Sequence, residues 1–403
     1  MSQSTIERLV EDPASAAKVT SVHADVVQIP LKKTYSMGGQ DFSGWDYYGL
    51  VVRVRTEDGI EGVSEVFVTP GWYGPDTPGS CQYLLEHVYG PAMIGECVFE
   101  TAKLLQKMDR LWMHNLWSKA VLEQALFDAA AKSINRPLID LIGGKVRDRF
   151  PLVGGIGTDT PEAMAASARE FVNRGFGTIK LKIGEESKKP TLDVERVRLV
   201  REEVGPDVVI RVDANGVFGA DVQAAIKLAR ALEPFDLDHF EQPLSADCIE
   251  GMARIREAVD VPLMADESVH SLRDAIAVVQ AGAADIVKLK MAKNGGYQKC
   301  RDIITICTSA GIGIELGNGL QTSAASLHEL NLACSNPLVR PAGEFTGPDK
   351  LVSDILEQPM QIVDGDAILP TGAGIGSGIN YEMFNRCRID VRDALGYSKR
   401  GAK

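Results

Sequence analysis

The sequence predicts an α/β protein in which a β/α barrel follows a smaller α+β unit. From Pro151 onward, short strand-like pieces alternate with amphipathic helical pieces, and charged residues end the strand-like pieces at positions 182, 213, 241, 266 and 290. A β/α unit of about 25–35 residues that repeats many times is typical of a barrel or a doubly wound sheet. We favour the barrel because the repeat does not pause and the chain has no dinucleotide-binding fingerprint.

The same patterns divide the chain into four segments. Residues 1–18 are mostly polar and form an N-terminal extension whose role stays open. Residues 19–145 contain strand-like and then helical patterns, with a hairpin turn expected at Asp58-Gly59. Residues 146–345 form the barrel, and we expect residues 346–403 to return to the first unit.

Composition limits the classes of partner. The 403 residues carry a net charge of -12, with a pI near 5.1, which argues against non-specific binding to nucleic acid or to an anionic membrane. The N-terminus has no apolar core like that of a signal peptide, and no apolar run is long enough to span a bilayer. The 7 cysteines form no CxxC pair, which suits free thiols in a reducing compartment. We therefore expect a cytoplasmic protein.

Two lysines share one face of a strand at residues 178–184, TIKLKIG. Lys180 and Lys182 are two positions apart, so both side chains point the same way. Like charges this close lower the pKa of an amine, and an amine with a lowered pKa can take a proton from carbon. The plainer interpretation is an edge strand that carries lysines against aggregation, and the stretch taken alone favours it.

Three acidic residues end three successive strands of the repeat: Asp213 in VDAN, Glu241 in FEQP and Asp266 in ADES. Carboxylates at equivalent places on neighbouring barrel strands converge, and they repel one another unless a cation lies between them. Oxygen ligands alone suit Mg²⁺, with Mn²⁺ as an alternative. Each acid by itself could cap a helix, but three acids in phase with the repeat favour a metal site.

Lys290 ends the next strand and is expected to face Lys182 across the barrel mouth. Lys288 shares its face by alternation, whereas we expect Lys293 to be a surface lysine of the loop. A helix-capping role is the plainer interpretation of Lys290, but its phase in the repeat disfavours that role. Together these residues predict an enzyme that removes the α-proton of a carboxylate substrate, in which a bound divalent cation stabilises the resulting enediolate. Lys182 and Lys290 would act as base and acid on opposite faces, and Lys180 would lower the pKa of Lys182 and contact the substrate carboxylate.

With these motifs, about residues 20–390 resemble the enolase superfamily, in its muconate lactonising enzyme subgroup. The resemblance rests on KLK, VDAN, FEQP, ADES and the KMAKNGG that starts at Lys290. It implies a modified TIM barrel, (β/α)7β, under an α+β capping domain formed from both ends of the chain. It also implies Mg²⁺ on the three acids and an acid/base pair of Lys182 and Lys290. The mandelate racemase subgroup has a histidine after the seventh strand, and IELGNG lacks one, so His239 and His270 are expected to be structural.

The resemblance leaves the substrate open. Muconate cycloisomerases are most similar, through the loop WYGPDTPGS and the segment GEFTGPDKL, but they carry a glutamate where this chain has Gln321. A cycloisomerase is our first expectation, followed by a racemase or epimerase of an N-substituted amino acid and by an acid dehydratase. Gln321, Trp72 and Tyr73 are candidate substrate contacts, and the loops around residues 35–45 and 66–77 would choose among substrates.

Two further expectations concern partners. A capped barrel of this kind resembles relatives that form homo-oligomers, so we expect a homo-oligomer that acts on a small-molecule carboxylate. The alternative from another class is a barrel that has lost catalysis and serves as a binding protein. The complete lysine pair and the three acids argue against it.

Overall fold

The computed structural model describes residues 17–33, 36–37, 40–41, 46–67, 76–184, 190–318 and 320–394. Trp72 and Tyr73 lie outside these ranges, so their predicted role stays a prediction. Within these ranges the structure confirms the predicted architecture of a capping unit on a parallel barrel. No helix in the described ranges is both long enough and apolar enough to cross a membrane.

The strands are β1 (Val19–Pro30), β2 (Ser36–Met37), β3 (Gln40–Asp41), β4 (Asp46–Thr56), β5 (Glu61–Phe67), β6 (Arg149–Pro151), β7 (Val153–Ile156), β8 (Thr178–Lys182), β9 (Val209–Asp213), β10 (Leu237–Glu241), β11 (Leu263–Ala265), β12 (Ile286–Leu289), β13 (Gly313–Leu316), β14 (Ile362–Val363), β15 (Asp366–Ile368) and β16 (Arg388–Ile389).

The α-helices are α1 (Pro78–Leu84), α2 (Gly90–Met93), α3 (Thr101–Leu111), α4 (Leu116–Ser133), α5 (Pro161–Asn173), α6 (Pro190–Val204), α7 (Val222–Leu232), α8 (Ile249–Arg256), α9 (Leu272–Ala281), α10 (Met291–Asn294), α11 (Tyr297–Ser309), α12 (Ser323–Ser335), α13 (Gly347–Lys350), α14 (Tyr381–Cys387) and α15 (Val391–Ala394). A π-helical turn at Leu85–Tyr89 and 3₁₀ turns at Leu138–Ile142 and Glu233–Phe235 connect some of them.

The capping sheet is antiparallel, with strand order β16-β1-β4-β5. The predicted hairpin joins β4 to β5, and Gly59 at its turn has a φ of +79°, a conformation that glycine adopts without strain. The late strand β16 pairs with β1 through Val26 and Ile389. The segment after the barrel thus contributes a strand to the sheet that precedes the barrel.

Helix α4 covers the capping sheet and is buried along most of its length. It packs closely on β5 because Gly62 has no side chain. A Cβ at that position would overlap the Ala125 carbonyl oxygen. The apolar face of the sheet is therefore sealed by a helix that also borders the barrel.

Seven strands form the parallel sheet of the barrel, in the order β13-β12-β11-β10-β9-β8-β7. Residues 339–344 act as the eighth strand, because they bridge Ile314 and Gly317 on one side and Leu152 on the other. This closing segment makes the barrel (β/α)7β, as predicted. The carboxyl ends of all strands consequently open toward one mouth.

The strand β8 shows how polar side chains enter this barrel. All five of its residues are buried. Ile179 and Leu181 belong to the apolar core, whereas Lys180 and Lys182 alternate with them and turn to the inside. The plainer interpretation, an exposed edge strand, is therefore wrong.

Candidate active site

The carboxyl ends of the central strands bring the five predicted residues to the barrel mouth. Lys182 lies opposite Asp213 in the strand register, and Asp213 lies opposite Glu241. Asp266 and Lys290 each follow their strand by one residue. All five are at most 8% exposed. The structure thus brings all five side chains to the same end of the barrel.

Lys180 lies among three carboxylates. Its Nζ is 2.8 Å from Asp213 Oδ2, 2.7 Å from Glu241 Oε2 and 2.7 Å from Glu344 Oε1. Burial by itself lowers the pKa of Lys180, but these three carboxylates together raise that pKa well above its ordinary value. Lys180 is therefore a fixed positive charge beside Lys182, as its predicted role requires.

Lys182 is oriented by two side chains at the carboxyl end of β9. Its Nζ is 2.5 Å from Asp213 Oδ2 and 2.8 Å from Asn215 Oδ1. Asn215 in turn donates to Glu267 Oε1 at 2.9 Å. Its φ of +45° is a left-handed conformation that asparagine tolerates better than most residues. The asparagine of VDAN thus has an orienting role that the sequence motif alone did not reveal.

Lys290 pairs with Asp266, through Nζ and Oδ2. Lys293 Nζ lies 2.8 Å from Asp266 Oδ1 and also donates to the Asp266 carbonyl oxygen. The expectation that Lys293 is a surface lysine was wrong, because its side chain is 1% exposed. The short helix α10 turns the chain back over the mouth, so residues three apart meet the same carboxylate.

Burial shifts the pKa values of both Lys290 and Asp266. Burial lowers the pKa of Lys290 well below its ordinary value, and the like charge of Lys293 adds to this effect. Burial also raises the pKa of Asp266 to about 6, although Lys293 opposes the change. A lysine with a lowered pKa releases its proton more readily than an ordinary lysine, which favours its use as a base.

Glu344 is a residue of the mouth that sequence reasoning missed. It ends the closing segment, and its Oε1 lies 2.6 Å from Lys288 Nζ and 2.7 Å from Lys180 Nζ. Burial raises its pKa, but the two ammonium groups reverse this and hold it well below the ordinary value. Its place at the end of LVRPAGE was the available signal, the same signal that identified Asp213 and Glu241.

Gln321 lies in the loop between β13 and α12 and is 4% exposed. Its Oε1 has no hydrogen-bond partner within the described part of the chain. The main chain of Gln321 packs directly against Gly347. A Cβ at Gly347 would overlap the Gln321 main chain. Gln321 is uncharged where muconate cycloisomerases were expected to carry a glutamate, and Glu344 is a further carboxylate at the mouth. Contact between Gln321 and substrate stays a prediction.

The three acids fit a divalent cation in their donor chemistry. Burial alone raises the pKa of Glu241, but Lys180 and Lys288 hold that pKa well below its ordinary value, so the group is ionised. Glu241 Oε1 is nevertheless buried without a hydrogen-bond partner among the described residues. An ionised carboxylate with an unused oxygen, on the strand between those that lead to Asp213 and Asp266, has the donor chemistry that Mg²⁺ or Mn²⁺ prefers.

A second group of ligand-type residues lies below the mouth. Asp238, His239 and Glu315 offer atoms that are all within 4.8 Å of one another. Arg211 lies 3.0 Å from Asp238 and 3.1 Å from Glu315, and Arg340 lies 2.9 Å from Asp238. Because the two guanidinium groups already balance these carboxylates, the group is better explained as an ion-pair network, which agrees with the structural role expected for His239.

Comparison with known families matches both parts of this architecture. Residues 46–143 match the family described as the mandelate racemase / muconate lactonizing enzyme N-terminal domain. Residues 163–383 match the family described as enolase C-terminal domain-like. The chain therefore belongs to the enolase superfamily, and it is an enzyme of the muconate lactonising enzyme-like subgroup.

Individual relatives catalyse isomerisations of different kinds. An N-succinyl-L-Arg/Lys racemase from Bacillus cereus is 32% identical over 84% of this chain and 89% of its own length. A muconate cycloisomerase from Rhodococcus opacus is 28% identical over 90% of this chain and 96% of its own. The solved muconate lactonizing enzyme of Pseudomonas fluorescens, complexed with muconolactone, has a TM-score of 0.88, 27% identity, and coverage of 93% and 100%.

Proposed function

We propose that this enzyme moves the α-proton of a small carboxylate substrate between Lys182 and Lys290. The observation that supports it is the order of residues around the mouth. Lys182 lies on β8 and Lys290 follows β12, and the strands between them carry the three acids. A substrate held at the acids would present one face to each lysine, which is the arrangement that two-base proton transfer requires.

Each group at the mouth has a task in this proposal. Lys290, with its lowered pKa, exchanges a proton at one face, and Lys182 exchanges a proton at the other. Lys180, which is held charged, attracts the substrate carboxylate. Asp213, Glu241 and Asp266 would hold Mg²⁺ or Mn²⁺, which when bound would stabilise the negative charge that develops as the proton leaves.

We infer that racemisation or epimerisation of an N-substituted amino acid is the first candidate. This reaction uses both lysines, one to remove the proton and the other to return it, and the structure holds each on a different carboxylate. Similarity to the N-succinyl-L-Arg/Lys racemase supports the choice of substrate class.

Cycloisomerisation of a muconate-type dicarboxylate is the second candidate, and it was the first expectation from sequence. It is supported by the similarity to muconate cycloisomerases over most of both chains. It needs one general acid rather than an alternating pair, so the paired lysines support it less directly.

A homo-oligomeric state remains our expectation for either activity, and light scattering would measure it.

The test is proton exchange in deuterated water with Mg²⁺ and a library of N-acyl amino acids, dipeptides and muconates. We expect α-deuterium in both enantiomers of an amino acid derivative, and loss of exchange after chelation of the metal. Lys182→Ala should no longer exchange the α-proton of one enantiomer. Lys290→Ala should no longer exchange the α-proton of the other enantiomer. The exposed Lys227 on α7 provides the control Lys227→Ala.

Lactone formation from a muconate, without α-exchange of amino acids, would select the second candidate. Parental exchange rates in both lysine variants would refute the assignment.

A further inference from the structure

Glu329 is a buried carboxylate behind the barrel mouth to which the proposed mechanism gives no task. It lies on α12, a helix that is buried from Ser323 to Cys334, and it is itself 3% exposed. Its Oε1 accepts a 2.9 Å hydrogen bond from the main-chain amide of Met291, the residue after Lys290. Its Oε2 is buried and has no hydrogen-bond partner among the described residues. The hydrogen bonding described for this carboxylate is therefore directed at the turn that carries Lys290.

The main chain of this turn is fixed from two directions. The Lys290 amide donates to Asn294 Oδ1 at 2.8 Å, and Asn294 Nδ2 donates to the Val269 carbonyl oxygen at 2.9 Å. Asn294 thus links the turn to the loop after β11, and Glu329 links it to α12. Because Met291 directly follows Lys290, a shift of the Met291 amide also shifts the Cα of Lys290.

Glu329 and Lys290 are also close enough for their charges to interact. Burial is the largest influence on both groups: it raises the pKa of Glu329 to about 8 and lowers that of Lys290. Their mutual attraction acts against burial in each case. The hydrogen bond from the Met291 amide places Glu329 on the Lys290 side of the site.

Lys182 is held by a different set of groups. Its ammonium contacts Asp213 and Asn215, and its carbonyl oxygen accepts a hydrogen bond from Thr158 Oγ1 at 3.2 Å. These residues lie at or just after the ends of β7 and β9, whereas Lys290 and Met291 follow β12. A change at Glu329 should therefore displace one lysine and leave the other in place.

We propose that Glu329 is a positioning residue for Lys290. Its hydrogen bond with the Met291 amide determines the position of the Lys290 ammonium relative to the Asp266 carboxylate. The inference rests on the proposed two-lysine function. It predicts that Glu329 controls proton transfer at one face of the substrate only.

Three variants of the full chain with Mg²⁺ separate this role from general packing. Glu329→Met removes the acceptor at similar volume, whereas Glu329→Gln keeps a carbonyl oxygen for the Met291 amide. Glu123→Met is the matched control, because Glu123 is 1% exposed, has a pKa raised by burial to about 8, and accepts the amides of Tyr297 and Gln298 at the next helix. Should Glu329→Met not fold, Glu329→Asp withdraws the carboxylate by one methylene and is compared in the same way.

The first measurement needs no substrate. Trace labelling with acetic anhydride, followed by mass spectrometry, compares the rates at Lys290 and Lys182. In Glu329→Met we expect the Lys290 rate to change by about threefold or more while the Lys182 rate stays constant, since amine reactivity follows local environment. Glu329→Gln should restore the parental rate. An unchanged Lys290 rate in folded Glu329→Met, or the same change in Glu123→Met, would overturn the inference.

The second measurement is α-deuterium exchange from each enantiomer of an N-acyl amino acid found in the library screen. Because misplacement by about 1 Å can cost about a hundredfold, we expect Glu329→Met to lose at least about tenfold in the direction that depends on Lys290. The exchange rate in the direction that depends on Lys182 should stay within about twofold of the parental rate. Equal losses in both directions would overturn the inference. If the parent exchanged no substrate, the proposed function would fail, while the labelling result would still decide the role of Glu329.

Discussion

At the scale of single residues, Lys180 shows how a buried lysine keeps its charge. Its side chain is 4% exposed, so burial disfavours the ammonium form, yet contacts with Asp213, Glu241 and Glu344 reverse the balance. The reverse holds for Glu241 and Glu344, because nearby lysines hold the pKa of each carboxyl well below its ordinary value. The mouth is thus a set of mutually dependent charges rather than a row of independent ligands.

Replacing Lys180 therefore has a predictable cost in stability. Lys180→Met leaves the buried carboxylates of Asp213 and Glu241, and the partly buried one of Glu344, without their shared partner. Breaking a buried pair in this way costs about 3–5 kcal/mol. Urea denaturation measures the change in the free energy of unfolding. Lys227→Met, on the exposed side of α7, is the control and should change stability little. Similar denaturation midpoints for the two variants would contradict a mutual dependence of these charges.

At the scale of elements, the turn between β12 and α11 explains the motif KMAKNGG. Lys293 reaches Asp266, Asn294 holds the Lys290 amide, and Gly296 has a φ of +98°. A Cβ on Gly296 would overlap the carboxylate of Glu123 on α4. The motif therefore combines side chains that hold the turn with a glycine that lets the capping domain approach it.

Gly296→Ala should be much more costly than an alanine at an open left-handed glycine. The matched control is Gly311→Ala, because Gly311 has a φ of +78° and a Cβ there would meet nothing within 4 Å. We expect Gly311→Ala to lower the free energy of unfolding by about 1 kcal/mol, from backbone strain alone. Gly296→Ala should lower it clearly more, because it adds a clash with a buried carboxylate. Thermal melting of both variants makes the comparison, and equal shifts would show that the clash is relieved without cost.

At the scale of the whole molecule, Glu65 joins the capping domain to the barrel. This residue of β5 accepts a hydrogen bond from the Thr322 amide at 3.1 Å and others from the hydroxyls of Thr322 and Tyr47. Asp354 accepts the next amide, that of Ser323, at 2.8 Å. Two carboxylates therefore meet the N-terminus of α12, where the helix dipole favours negative charge. The link lies directly beside Gln321, so it ties the capping sheet to the loop that borders the mouth.

The same carboxylate predicts a pH dependence of stability. Burial raises the pKa of Glu65 to about 7, above the value of about 4.5 for an unperturbed glutamate. The unfolded chain therefore loses this proton at a lower pH than the folded protein, so the contribution of Glu65 to stability falls as pH rises between those values. Glu65→Gln cannot ionise, and its melting temperature relative to the parent should rise from pH 5 to pH 8. A constant or falling difference would contradict the raised pKa.

The sequence alone was sufficient for the fold and for the residues of the mouth that obey strand periodicity. Lys180, Lys182, Asp213 and Glu241 lie on strands whose period of two assigns their faces, and a regular β/α repeat assigns their ends to one edge. Asp266 and Lys290 follow from the same phase. Local sequence determines these positions because strand geometry is regular.

Only the tertiary structure decided which charges meet. Glu344 joins Lys180 by closing the barrel, Lys293 reaches Asp266 through a short helical turn, and Glu329 supports Lys290 from a helix that begins far along the chain. These partners are distant in sequence or lie in irregular turns, where no period assigns a face. Their pKa values depend in addition on burial, which is a property of the packed molecule and not of the residue itself.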